Sequence, residues 1–151
     1  MATLLVVSHS RTGGTASLRE AFVAGAGNDL IEGVIVESVD ALTADASAVR
    51  RADGVALMTP ANFGYMSGAL KHFFDETYYE VLGERPGLPY VLVVKGGSDG
   101  TGAVRAVEAL TTGLEWKAFR PPLVVLGELT DQHRDAAWGL GASFAATLAP
   151  D

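Results

Sequence analysis

The chain has 151 residues and no cysteine, which excludes disulfide bonds, thiolate nucleophiles and cysteine-ligated zinc. It also lacks an excess of positive charge, since its formal net charge is −7 and its pI is near 4.8. Nucleic-acid binding needs a basic surface against the phosphates, so no nucleic-acid partner is expected. The absence of cysteine is compatible with a reducing compartment.

Long apolar runs are missing as well. None approaches the ~18 residues that span a bilayer, so no membrane contact is expected. No basic residues precede the first apolar run, unlike in a secretory signal, and we therefore predict a cytoplasmic protein. The hydrophobic fraction of 48% favours a folded core over disorder. The length predicts a single domain over residues 1–151.

Short apolar runs predict the strands of a buried sheet. Their lack of polar alternation is typical of parallel strands that are covered on both faces. A fifth run, GVIVESV (33–39), alternates more and is expected towards an edge. The four buried runs are TLLVVS (3–8), GVALMT (54–59), YVLVVK (90–95) and PLVVLG (122–127).

Helical periodicity falls between these runs. It predicts helices over residues 15–25, 45–52, 66–81, 102–119 and 132–148. Five strands that alternate with five helices predict the α/β class, with a doubly wound, open parallel sheet. Ligands of such sheets bind beyond the carboxyl ends of the strands, so the loops that follow strands are the candidate site.

The loop after the first strand is SHSRTGGT, residues 8–15. Its two adjacent glycines permit a tight turn, and the amides of the following helix start favour an anion. The hydroxyls of Ser10, Thr12 and Thr15 add donors. No lysine follows the glycines, so the nucleotide P-loop pattern is absent and neutral donors are expected to bind a phosphate monoester. Alternatively, a threonine caps the helix and the glycines only form a turn.

The second loop follows the third strand, over residues 59–76. Asn62 and Gly64 allow backbone angles that turn polar groups towards a flat ligand. Phe63 and Tyr65 offer rings for stacking, although Phe63 could also belong to the core.

The third loop, KGGSDGTG (95–102), is glycine-rich and contains no aromatic residue. It suits close backbone contact with a ligand, or it is a surface turn. Its Gly96–Gly100 segment fits the G-x-S-x-G pattern of serine hydrolases, but only one strand follows Ser98, which argues against that fold. The three histidines lack metal-ligand spacing, so no metal is predicted. No catalytic side chain is predicted either.

The first two loops resemble sequence motifs of known protein families. Ser10–Thr15 resembles the flavodoxin phosphate pattern [ST]-x-T-G-x-T. Thr59–Gly68, TPANFGYMSG, is similar to a stretch of tryptophan-repressor-binding-protein-type NAD(P)H:quinone reductases, and its continuation to Asp75 is also similar to NADPH-dependent FMN reductases. The resemblance implies a flavodoxin-like fold with strand order 2-1-3-4-5, and FMN bound across the three loops.

The resemblance also implies where FMN binds. The first loop would hold the phosphate, the second would line the isoalloxazine ring, and the third would border its pyrimidine side. The implied cofactor-binding residues are Ser8, Ser10, Arg11, Thr12, Gly13, Gly14, Thr15, Thr59, Pro60, Ala61, Asn62, Phe63, Gly64, Gly96, Gly97, Ser98 and Gly102.

The missing aromatic residue in the third loop favours a reductase, because one face of the ring would stay open for a nicotinamide or a quinone. We therefore predict an FMN-dependent oxidoreductase that passes electrons from NAD(P)H to a quinone or similar acceptor. The alternative is a flavodoxin-type electron carrier that serves a redox partner protein. The sequence leaves open whether the chain is a scaffold that has lost its cofactor. It also leaves open whether NADH or NADPH is used, and whether the chain forms a homodimer or a homotetramer.

Overall fold

The computed structural model describes residues 1–10 and 13–151. Its strands are β1 (Ala2–Ser8), β2 (Val34–Asp40), β3 (Gly54–Pro60), β4 (Pro89–Gly96), β5 (Lys117–Ala118) and β6 (Leu123–Leu126). Its helices are α1 (Gly14–Ala26), α2 (Ala46–Arg51), α3 (Gly68–Val81), α4 (Thr101–Gly113) and α5 (Asp131–Leu148).

The strands form one parallel sheet in the order β2-β1-β3-β4-β5, and β6 also pairs with β4. The predicted strand order 2-1-3-4-5 is therefore confirmed, and the alternating strand β2 lies at an edge as expected. All pairs being parallel, the carboxyl ends of the strands share one edge of the sheet.

The fifth position of the sheet differs from the prediction, because two short strands occupy it. Both β5 and β6 pair with β4, and Pro121 and Pro122 lie between them. Proline has no N–H to donate to a neighbouring strand, so the pair interrupts the ladder.

The helix predicted over residues 102–119 ends earlier in the structure, so its predicted carboxyl-terminal end was wrong. Helix α4 stops at Gly113, Glu115 has a φ of +61°, and the Lys117 N–H donates at 2.9 Å to the O atom of Leu88, the residue before β4. Trp116 turns into the core, where its ring packs against Phe74 and Tyr90. This tertiary packing overrides the helical pattern that continues through Leu114.

Two apolar layers cover the faces of the sheet. Helices α2, α3 and α4 bury one layer, which includes Phe73, Phe74 and Leu92, and helices α1 and α5 bury the other, which includes Phe22, Val93 and Phe144. None of the helices in the described ranges is long and apolar enough to cross a membrane.

Candidate functional site

The carboxyl edge of the sheet brings four loops together. The Ala61 N–H donates to Lys95 O at 2.9 Å, which joins the loop after β3 to the end of β4. The Gly127 N–H donates to Gly96 O at 2.9 Å, which brings in the loop after β6. Side-chain atoms of Lys95 also lie against Gly14 at the start of α1. The three predicted loops therefore share one surface, together with a fourth that the sequence did not reveal.

The first loop leads into α1 through a left-handed glycine. Gly13 precedes the helix with a φ of +91°, has no side chain to cap the first turn, and its N–H donates to Ser10 Oγ at 3.1 Å. No acidic residue lies in the first turn. A side-chain carbon at Gly13 would meet no atom of residues 1–10 and 13–151 within 4 Å, so these residues leave space beside the helix start. This is a favourable place for an anion.

Three cationic side chains outside the predicted phosphate loop contact residues near this helix start. The Lys95 stem passes Gly14, so a Cβ at Gly14 would lie 3.2 Å from Lys95 Cγ. Arg19 Nη1 lies 3.4 Å from Ser8 Oγ. Arg134 Nε donates to Ser17 Oγ at 3.1 Å. These side chains come from β4, α1 and α5, so no local sequence pattern marks them.

The second loop is closed by two hydroxyl side chains. Thr59 is fully buried, and its Oγ1 accepts the Ser67 N–H at 2.8 Å while donating to Pro60 O at 2.7 Å. Ser67 then caps α3, with its Oγ accepting the Leu70 N–H at 3.1 Å. Two residues of the resembled motif therefore fix the shape of the loop from inside.

The tip of the second loop is a two-residue turn. Asn62 and Tyr65 exchange both backbone hydrogen bonds, at 2.8 and 2.9 Å, and the central residues Phe63 and Gly64 have φ values of +51° and +71°. Two positive φ angles are typical of type I′ turns. The Phe63 side chain is fully exposed, so the alternative that it belongs to the core is not observed.

The tip of the second loop packs against a glycine at the end of the third loop. A Cβ at Gly102 would lie only 1.8 Å from Gly64 O, so the tip of the second loop can rest on α4 only because this position lacks a side chain. Gly96 is similarly enclosed, because a Cβ added there would lie 3.0 Å from Asp99 O. Gly97 and Ser98 are exposed beside them.

Asp99 organises the start of α4. Its Oδ1 accepts the Thr101 N–H at 2.9 Å and the Thr101 hydroxyl at 2.7 Å. These hydrogen bonds, with smaller contributions from the Gly100 N–H and from Arg105, hold the pKa of the Asp99 carboxyl below its usual value.

The predicted site residues divide into two groups. Those of the first group lie on the three loops and are exposed or half-buried: Ser10, Gly13, Gly14, Ala61, Asn62, Phe63, Gly64, Gly97 and Ser98. In the second group, Ser8, Thr15 and Thr59 are each at most 2% exposed, Gly96 is also buried, and Pro60 and Gly102 are half-buried. Arg11 and Thr12 lie outside the described residues.

Two further residues were missed by the sequence analysis. Lys95 was read as the last residue of a strand, and Gly127 as the end of another. The Lys95 Nζ donates to Gly127 O at 2.6 Å and to Gly96 O at 3.1 Å. A charge at the end of an otherwise apolar run was the available signal for Lys95. Within residues 1–10 and 13–151, no group of three or more acidic or histidine side chains could hold a metal.

Comparison with known proteins identifies the family. Residues 15–130 match the family described as NADPH-dependent FMN reductase. The chain belongs to this family. The matched range begins in the first loop, includes the second and third loops, and ends at the start of α5.

Individual relatives agree with this assignment. A flavodoxin of Aquifex aeolicus (strain VF5) is 32% identical over 112 residues, which cover 74% of this chain and 60% of that protein. A flavodoxin from the domain Archaea has a similar structure, with a TM-score of 0.83 at 20% identity over 98% of this chain and 99% of that chain. A WrbA-like flavodoxin from Agrobacterium tumefaciens has a TM-score of 0.77 at 16% identity over 98% of each chain.

The predictions of a flavodoxin-like fold and of an FMN-binding oxidoreductase family are confirmed. The chemistry of the edge fits FMN. An uncapped helix start without acidic neighbours suits the phosphate. Exposed glycines and the exposed Phe63 ring leave flat, open surface for an aromatic ring system.

Proposed function

We propose that this chain is an FMN-dependent oxidoreductase that takes electrons from NAD(P)H and passes them to a quinone or similar small acceptor. Bound FMN supplies the redox chemistry, because its ring system accepts a hydride and releases electrons to an acceptor. The chain binds and orients the cofactor, and no side chain is needed as an acid or base.

The first loop holds the phosphate in this proposal. The backbone N–H groups of Gly14 and Thr15, at the start of α1, would donate to the phosphate oxygens together with the hydroxyls of Ser10 and Thr15. Arg11 and Thr12 belong to the same motif. The open space beside Gly13 and the absence of an acidic residue in the first turn support this assignment.

The second and third loops hold the ring system. Backbone groups of residues 61–63 would hold its polar edge, and Gly97 and Ser98 would border the other side. Thr59 and Ser67 act through the loop, because their hydrogen bonds fix the position of the tip that carries Phe63.

The observation that carries the enzyme proposal is the lack of aromatic side chains in the third loop. Residues 97–99 are exposed, and none has an aromatic side chain. A Cβ at Gly97 would meet no atom within 4 Å. One face of the cofactor then stays accessible to a nicotinamide or a quinone, which must stack on the ring to exchange electrons.

The second candidate is a flavodoxin-type electron carrier. The 32% identity to the Aquifex flavodoxin favours it, as do the exposed Phe63 and the net charge of −7 of the whole chain. An acidic protein with an exposed ring near its cofactor can dock on a basic redox protein.

Cofactor binding and turnover test the two candidates in sequence. We expect FMN to bind with quenched fluorescence and to support NADPH or NADH oxidation with menadione. Turnover near the level of free FMN, with rapid electron exchange with a redox protein, contradicts the enzyme and favours the carrier. Failure of the chain to bind FMN contradicts both.

A variant pair tests the phosphate assignment. Replacing Thr15 by valine keeps the shape of the side chain and removes one hydroxyl. Because a hydrogen bond to a charged group contributes about 1.5–3 kcal/mol, we expect FMN affinity to fall at least tenfold while riboflavin affinity stays unchanged. Thr147→Val, in the last turn of α5, is the matched control and should change neither. Unchanged FMN affinity in Thr15→Val contradicts a role for this hydroxyl.

A further inference from the structure

Lys95 is a cation that reaches the proposed phosphate side of the site from a different part of the chain. It is the second-last residue of β4 and shares a face of the sheet with Val91 and Val93, since alternate residues of a strand face the same side. That face is covered by α1 and α5. The half-buried Lys95 side chain therefore runs towards the start of α1, not towards solvent.

The contacts of Lys95 join three parts of the site. Its stem lies against Gly14, where an added Cβ would be 3.2, 3.5 and 3.7 Å from Cγ, Cε and Cδ. Its Nζ donates to Gly96 O at 3.1 Å and to Gly127 O at 2.6 Å. The start of α1 and the loops after β4 and β6 therefore meet at one side chain.

The charge of Lys95 is not neutralised by an acidic partner. Among residues 1–10 and 13–151, no carboxylate lies within ion-pair distance of its Nζ, which has carbonyl oxygens as its partners. A positive charge beside a helix amino terminus is unfavourable, because the helix dipole already places partial positive charge there. A bound dianion would be attracted both by the Lys95 ammonium group and by the partial positive charge of the helix start. An ammonium group has three N–H donors, and two are used by the carbonyls.

We propose that Lys95 is a positioning residue for the phosphate of FMN, whose charge strengthens binding at the start of α1 while its two hydrogen bonds hold the adjoining loops. This inference rests on the proposed FMN site and assigns a residue that lies outside the phosphate motif. It implies that the ammonium discriminates FMN from riboflavin, since the two ligands differ only in the phosphate.

The test compares both ligands in charge-changing variants. FMN and riboflavin are titrated by flavin fluorescence against wild type, Lys95→Gln, Lys95→Met and Lys95→Arg. We expect the FMN Kd to rise about tenfold or more in Lys95→Gln and Lys95→Met, and the riboflavin Kd to stay within about twofold. Lys95→Arg keeps the charge and should retain FMN affinity within about threefold.

Lys117→Met is the matched control, because Lys117 is exposed on β5 and pairs with the opposite, amino-terminal end of β4. It removes the same charge and should change neither Kd. The FMN affinity of wild type should also fall with added salt, and less steeply in Lys95→Gln.

Each outcome separates the two claims. If wild type does not bind FMN, the proposed function fails. If wild type binds FMN and Lys95→Gln binds it equally well, only the role of Lys95 fails. Equal weakening of FMN and riboflavin would assign Lys95 to loop structure alone and would also overturn the charge role. Lys95→Gln keeps an N–H donor for the loop carbonyls, so folding problems confined to Lys95→Met leave the comparison intact.

Discussion

At the scale of single residues, several positions near the site act by shaping loops. Thr59 and Ser67 use their hydroxyls to close and cap the second loop, and Gly102 makes room for its tip. Asp99 does the corresponding work for the third loop by accepting both donors of Thr101. A short motif can therefore be required for loop geometry even where its side chains do not face the ligand.

The pH dependence of stability should reveal the contribution of the ionised Asp99 carboxylate. Its pKa is lower in the folded chain than in the unfolded chain, so its ionised form stabilises the folded state above the unfolded pKa of about 3.9. That contribution is lost as the pH falls through the lower, folded pKa. We expect the stability difference between wild type and Asp99→Asn to be constant from about pH 5 to 7 and to shrink below about pH 4.

Urea unfolding at a series of pH values measures this difference. The amide side chain of the Asp99→Asn variant would still offer an oxygen to the Thr101 N–H, so the comparison isolates the charge of the carboxylate. A difference that does not change with pH across the acid range would contradict the proposed hydrogen-bonding role of the ionised form.

At the scale of elements, the close packing of α1 and α5 places the start of α1 at the site. A Cβ at Gly25 would lie 2.0 Å from Trp138 O, and one at Gly141 would lie 2.1 Å from Phe22 O. Each helix therefore presents a glycine to the backbone of the other, which brings their axes close together. Arg134 adds a bond from α5 to Ser17 in α1.

Two glycines of α5 provide a matched test of this packing. Gly141→Ala inserts a methyl group against the backbone of α1, and we expect a loss of about 1–3 kcal/mol in unfolding free energy. Gly139→Ala meets no atom within 4 Å and should be neutral or stabilising by up to about 1 kcal/mol, because alanine favours the helix. Denaturant unfolding of both variants measures the contrast. Similar effects at the two positions would contradict the close approach.

At the scale of the whole molecule, charge is distributed unevenly. The chain carries a net charge of −7, yet Arg19 and Lys95 both contact residues near the start of α1, as does Arg134, which is also ion-paired with Asp131 at 2.9 Å. An anionic ligand at that place would neutralise local positive charge within an acidic protein. This arrangement links cofactor binding to the stability of the fold.

Thermal unfolding measures that link. A ligand at a hundred times its Kd stabilises a protein by about 2.7 kcal/mol, which corresponds to an increase in Tm of roughly 5–11 °C for a chain of this size. We expect FMN to produce this increase, riboflavin to produce a smaller one, and inorganic phosphate alone to produce little. A Tm that FMN leaves unchanged would contradict the proposed binding.

The sequence by itself determined the class of fold and most of the strands. Three apolar runs without alternation predicted the buried strands β1, β3 and β4, and the alternating run 33–39 predicted the edge strand β2, because burial on one or two faces leaves a direct pattern in the chain. The fourth run, 122–127, was also expected to be buried, but Val124 and Leu126 of β6 are exposed because this short strand pairs with β4 at the edge of the sheet. The glycine and hydroxyl residues of the first two loops predicted where the site lies. These features depend on residues that are neighbours along the chain.

Only the tertiary structure decided the rest. Trp116 ended α4 early because its ring packs on Phe74 and Tyr90, which are distant in sequence. The Lys95 side chain lies against Gly14 because β4 ends beside α1, although the two segments are about eighty residues apart along the chain. Contacts of this kind depend on how strands and helices pack, and a local pattern contains no record of which side chain a fold brings to a given helix start.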